Sequence, residues 1–138
     1  MKNLWSINQI IYTAIGGWLG YYIGGCDGLF ITLVIFVLTD YISGVMCAID
    51  NKTLSSKIGF KGIATKILIF LIVGLANIID LQIIKDGNIL RTATIFFYLS
   101  NEGISIMENA AHLGLPIPDS LVDVLEELHN RKKKDEGN

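Results

Sequence analysis

Residues 28–49 read GLFITLVIFVLTDYISGVMCAI, twenty-two residues with a single charge, Asp40. A helix crosses the hydrocarbon core of a bilayer with about 20 mostly apolar residues, so this stretch decides the class of the protein. On its N-terminal side, residues 3–26 (NLWSINQIIYTAIGGWLGYYIGGC) carry no charge at all. The turn between the two stretches is short and glycine-rich, which predicts an antiparallel hairpin. On the C-terminal side the uncharged runs 67–79 and 92–101 are shorter. Extended over flanking polar residues, they give a third and a fourth crossing. The expected fold is an all-α, oligomeric membrane protein with four transmembrane helices in two hairpins. The approximate spans are 5–25, 28–49, 63–84 and 89–112, within a transmembrane domain covering 1–113. The first stretch exceeds the roughly 7–15 apolar residues of a signal peptide, so it reads as a retained helix.

Composition agrees. Of 138 residues, 51% are hydrophobic and 17% charged, against about 25% charged in soluble domains. A formal net charge of −2 argues against a polyanion-binding surface, so no nucleic-acid partner is expected. Cys26 and Cys47 lie about 31 Å apart along a helix and are expected to act as small apolar filler. The sequence contains no CxxC, HExxH, Walker or dinucleotide motif, and His112 and His129 have no evident nucleophile to serve. The expectation is therefore no enzyme, no catalytic residue, no metal and no cofactor.

Basic residues set the orientation. With four crossings, Lys2, then Lys52, Lys57, Lys61 and Lys66, then Arg131, Lys132, Lys133 and Lys134 fall on one side. Only Lys85 and Arg91 fall on the other. The positive-inside rule makes the nine cytoplasmic, with both termini. Two crossings satisfy the same rule if the chain after Lys66 stays at the inner leaflet. The lysines of the 50–62 loop, Lys66 and the C-terminal basic cluster read as membrane-surface residues, the loop itself lying on anionic headgroups.

Several patterns point to assembly. Gly16, Gly20 and Gly24 recur every four residues and form a groove suited to helix packing. Asp40, Gly44 and Ala48 share that spacing, so the acid lies on a small-residue face that belongs towards protein or water. An acid at this depth calls for a cation such as Lys66 or for a water-facing position. The fourth helix is amphipathic. Tyr98, Asn101, Glu102, Ser105, Glu108 and Asn109 mark its polar side, and Ile95, Phe96, Leu99 and Ile106 the apolar side. Asp40, Glu102 and Glu108 are candidate buried or gating acids, and Tyr98, Asn101 and Ser105 candidate pore-lining residues. Gly114, Pro116 and Pro118 end this helix. A short amphipathic cytoplasmic helix with a basic end is expected over 119–134.

Four segments follow one another in a distinctive order: Asp40-Tyr41-Ile42-Ser43-Gly44, residues 54–62 (LSSKIGFKG), residues 101–109 (NEGISIMEN) and residues 114–118 (GLPIP). The set resembles the phage lysis holin family that also includes the clostridial toxin-secretion holins, over roughly residues 28–134. The resemblance implies a small protein that accumulates in the bacterial cytoplasmic membrane, assembles with itself and opens a lesion. An endolysin or a large toxin then leaves, without stable binding. It carries no catalytic residues over. A small proton-coupled transporter and a non-transporting scaffold subunit are the alternatives from the residues alone.

Overall fold

The computed structural model describes residues 2–124 and residue 127. Among the described residues it is a bundle of four long helices with no strand: α1 (Lys2–Ile23), α2 (Gly28–Asp50), α3 (Ser56–Ile79) and α4 (Ile89–His112). A π-helical turn, Asp80–Ile84, extends α3. Two helical segments are long and apolar enough to cross a membrane, Gly28–Asp50 and Ser56–Ile84.

Local chemistry fixes the helix ends. Asp27 caps α2, its Oδ1 accepting from Phe30 N at 2.9 Å. Ser55 caps α3, its Oγ accepting from Ile58 N at 3.2 Å. Such caps satisfy amide groups that the first helical turn leaves unpaired. The Ser55 cap starts α3 seven residues earlier than the sequence reading placed the third span. The expected interfacial loop therefore shrinks to residues 51–55, and Lys57 and Lys61 ride on the first turns of α3. Residues 119–124 are helical, where the C-terminal helix was expected to begin. Its remainder, with Arg131, Lys132, Lys133 and Lys134, lies outside the described residues.

Sequential helices run antiparallel, so the α1–α2 turn and the α3–α4 connection share one end of the bundle and the α2–α3 turn lies at the other. α2 packs chiefly on α4, and α3 on α4 and α1. α2 and α3 touch only lightly. The apolar core is thin. Leu33, Val73 and Ile95 are fully buried, with Phe30, Val37 and Ile69 around them. Most other large apolar side chains face outwards, as expected where the surroundings are lipid rather than water.

α1 is held at one end only. Residues 3–19 are exposed along their whole length. Hydrogen-bonded contact begins at Tyr21, whose carbonyl accepts from Asn77, and at Tyr22, whose ring lies across Gly74 and whose hydroxyl donates to Leu71 O at 2.8 Å. A Cβ on Gly74 would fall inside that ring. Gly74→Ala is therefore expected to cost about 1–3 kcal/mol by overpacking and to loosen α1 from α3. Fluorescence of Trp18, which stacks on Tyr22, reads this directly. An unchanged Trp18 spectrum and unchanged thermal stability would contradict the packing.

Candidate functional site

Two polar clusters and one apolar layer alternate along the bundle, and α2, α3 and α4 all contribute to the layer and to one of the clusters. The first cluster sits at the α1–α2 turn. Asp27, Asn77, Asp80 and Arg91 meet there. Arg91, on the first turn of α4, is 1% exposed. Its Nε donates to Ile23 O at 2.7 Å and its Nη2 to Gly25 O at 2.9 Å. Its Nη1 donates to Asp27 Oδ2 at 2.7 Å. Asn77 Nδ2 donates to Tyr21 O and Tyr22 O, both at 3.0 Å. Carbonyls at a helix C-terminus have no partner within the helix. Here α3 and α4 supply donors to the last carbonyls of α1, and the guanidinium also suits the negative end of the helix dipole. Asp80 does the reverse for α4, accepting from Leu90 N at 3.0 Å and Arg91 N at 2.8 Å.

Arg91 holds the Asp27 carboxyl below its ordinary value of 3.8, helped by the Phe30 amide and opposed by partial burial. A lowered folded-state value means that the tie contributes stability above the ordinary carboxylate range. That contribution is lost as pH falls below about 4, through the folded-state value. Asp27→Asn is expected to flatten the acid limb of a detergent unfolding curve between roughly pH 5 and pH 2. Identical acid limbs in the two proteins would refute this role.

The second cluster lies near the middle of α2, about 18 Å along it from Gly28. Lys66 Nζ donates to both Asp40 Oδ2 and Glu102 Oε2. Asn109 Nδ2 donates to Asp40 Oδ1 at 3.1 Å and Ser43 Oγ at 2.9 Å. Asp40 and Glu102 are 7% and 6% exposed. One ammonium thus joins α2, α3 and α4 and carries two carboxylates. Among the described residues no buried side-chain polar atom lacks a hydrogen bond, as a low-dielectric interior requires.

The apolar layer lies between the clusters: Phe30, Leu33 and Val37 of α2, Ile69 and Val73 of α3, and Ile95 of α4. On the other side of the Lys66 cluster a cavity of about 500 Å³ runs between α2 and α3 towards their turn. Asp40, Gly44, Ala48, Thr65, Lys66, Ser105 and Asn109 are among its lining residues.

The sequence-derived candidates fall as follows. Asp40 and Glu102 come together. Glu108 is exposed and belongs to neither cluster. Tyr98, Asn101 and Ser105 are half-buried, Tyr98 against the apolar layer. Gly44 faces Asn109, 3.8 Å from where its Cβ would stand. Gly16 and Gly20 face open space. Gly24 lies past the end of α1 at φ +86°, against Asn77 and Arg91, so it serves a turn that favours glycine and lies outside the helical stripe. Lys52, Lys57 and Lys61 are exposed at the α2–α3 end. Lys66 is not on the surface, because two acids draw it into the bundle. Ile95, placed by pattern on the opposite side of α4 from Glu102, shares its buried face. Charge on α4 does not mark its outside, because α2 and α3 bring the countercharges. Arg91 and Asp80 were missed as anchors. The one signal was an arginine just inside an apolar helix start, with an acid on each preceding connection.

A model of the bacteriophage holin family matches residues 17–130, a stretch that contains both clusters and the cavity. The chain belongs to the bacteriophage holin family. Among its relatives, a probable holin of Bacillus phage phi105 is 40% identical over 67% of this chain and 68% of its own. An uncharacterised 14.9 kDa protein of Clostridium perfringens is 37% identical over 96% of this chain and all of its own length. The uncharacterised Lin0175 of Listeria innocua is 46% identical over 86% and 84%. No solved structure matches the chain. Family membership and the two apolar helical segments make this a membrane protein with a holin role.

Proposed function

We propose that the protein accumulates in the bacterial cytoplasmic membrane and assembles with itself. It then opens a large non-specific lesion through which an endolysin, or a large toxin, leaves the cell. The observation that carries this reading is the Asp40–Lys66–Glu102 cluster at mid-helix, within a family-matched stretch. A charged side chain at the bilayer centre costs about 2.5–3.5 kcal/mol on insertion scales, and this cluster hides three from lipid inside one protomer. In a lumen shared by several copies water would solvate the same groups, so exposure becomes tolerable only in the assembled state. Opening is then cooperative in protein concentration and needs no chemical step.

In this reading all four helices cross the membrane. α1 has 22 residues and α4 has 24, about 33 and 36 Å at 1.5 Å per residue, against a core of about 30 Å. The α2–α3 turn with Lys52, Lys57 and Lys61 lies in the cytoplasm, with both termini. Gly16 and Gly20 on the unoccupied face of α1 serve contacts between copies. Tyr98, Asn101 and Ser105 of α4 turn towards the lumen with Asp40, Glu102 and Glu108. The C-terminal basic cluster lies on the inner headgroups.

Induced expression is expected to halt growth abruptly after a delay and to release a cytosolic reporter of endolysin size. A protein that accumulates in the membrane without releasing the reporter at any level would be a transporter or scaffold instead.

A further inference from the structure

The cavity between α2 and α3 carries a consequence for the resting protomer. It begins at Asp40, Lys66 and Asn109 and reaches Leu54 and Ile58 at the α2–α3 turn. From Asp40 to the end of α2 at Asp50 this is ten residues, about 15 Å. Its volume of about 500 Å³ holds on the order of ten waters. The inner end is charged, and the walls carry the Thr65 and Ser105 hydroxyls and the Asn109 amide. Buried ions are costly to leave dry, and a site this roomy with several polar partners meets the requirements for water. Beyond the Lys66 cluster the character changes at once. Leu33, Val73 and Ile95 are fully buried, close around the axis with Val37 and Ile69, and leave no polar partner for water.

We infer that each resting protomer already contains a one-sided aqueous vestibule, open at the α2–α3 turn and ending at the Asp40–Lys66–Glu102 cluster. The apolar layer of Leu33, Val37, Ile69, Val73 and Ile95 is the first barrier beyond it. The vestibule lies between α2 and α3 where Gly44 and Ala48 on one wall and Gly59 and Gly62 on the other have too little side chain to fill the space between the helices. Tyr41 of α2 reaches across to Gly62 of α3. Its ring carbon Cε2 lies 3.1 Å from where a Gly62 Cβ would stand. Assembly into a shared lumen then begins with the charged cluster already hydrated from one side, and it has the apolar layer and the buried Arg91 cluster beyond it still to part. This rests on the membrane-spanning reading above, although the side on which the vestibule opens is defined by the turn and is independent of which face is cytoplasmic.

The test uses the full chain in membrane vesicles, with Cys26 and Cys47 replaced by serine, before any reporter release. A small membrane-impermeant methanethiosulfonate is applied to either side in turn. Thr65→Cys and Ser105→Cys are close to isosteric, and Ala48→Cys gives a third wall position. Ser56→Cys marks the side of the turn, and Val37→Cys and Val73→Cys report the barrier. The wall variants are expected to react from the side that labels Ser56→Cys, at least about tenfold faster than the barrier variants. Denaturation should then expose the barrier thiols in full. Wall thiols that react as slowly as barrier thiols, or equally from both sides, would overturn the vestibule. Labelling of Ser56→Cys from the outer side with the rest of the pattern intact would overturn the proposed topology and leave the vestibule standing.

Discussion

Replacing Lys66 with methionine is expected to abolish reporter release and to destabilise the folded protomer by about 3–5 kcal/mol, the usual cost of removing one partner from a buried ion pair. The substitution keeps an unbranched apolar stem only one atom shorter, so lost packing contributes little. It leaves Asp40 and Glu102 without their shared ammonium, and of the two carboxylates Asn109 bonds Asp40 alone. Adding Asp40→Asn and Glu102→Gln to the same chain removes both orphaned charges while keeping the side-chain shapes. The triple variant is expected to recover most of the stability, because replacing a whole buried ionic group is often close to neutral. Thermal unfolding in detergent reads each step, and the non-additive part measures the coupling. Release separates the two roles. If the cluster only holds the helices together, the triple variant lyses normally. If its charges are needed in the hydrated lumen, the triple variant folds and fails to lyse. A single Lys66→Met variant as stable as wild type would show that the three side chains do not act together.

Arg91 carries the second large effect. Its guanidinium reaches the last carbonyl of α1, a carbonyl just past it and an acid on the same turn, three targets in different directions. Lysine keeps the charge but offers a compact ammonium in place of a planar fork. Arg91→Lys is therefore expected to lose much of what Arg91→Met loses, about 3–5 kcal/mol for the latter. The visible consequence is detachment of α1. A disulfide crosslink engineered between the end of α1 and α3 should weaken in both variants, while crosslinks between α2 and α4 survive. Wild-type behaviour of Arg91→Lys would mean that charge alone suffices and that the fork geometry is incidental.

The helices themselves were legible because gaps between charges are long compared with the length of a span, and the glycine and proline punctuation agrees with the gaps. The Lys66 cluster was half legible. Asp40 announces itself as an acid inside an apolar run, and Lys66 is the nearest cation able to answer it. Counting basic residues loop by loop nevertheless assigned Lys66 to the surface, because a tally of charge near a predicted helix end does not know where that end lies. The cap at Ser55 moved the end and carried Lys66 inside. Arg91 failed for another reason: the fourth span was expected from 89 and α4 does begin at Ile89, yet a residue of its first turn was tallied with the loop charges. It stands where a loop residue would, and only the three-dimensional meeting of Asp27, Ile23 and Gly25 shows that it points inwards. The polar face of α4 was recognised as something to be hidden. That Ile95 is hidden with it was not, since a periodic pattern shows which residues share a side but not which partners wait there.

The mooring of α1 also has a consequence in time. α1 is fastened by Asn77 and Arg91, which are synthesised long after it. Between Ile23 and Arg91 lie 68 steps of chain elongation, roughly 3–14 s at about 5–20 residues per second. Until α3 has emerged α1 has no fixed neighbour within its own chain, and its mooring is incomplete until Arg91 follows. Adjacent nascent chains on one polysome would each carry an unclaimed first helix side by side. The order of translation thus favours an early exchange of this helix between sister chains, and a ribosome pausing before codon 91 would lengthen the window for it.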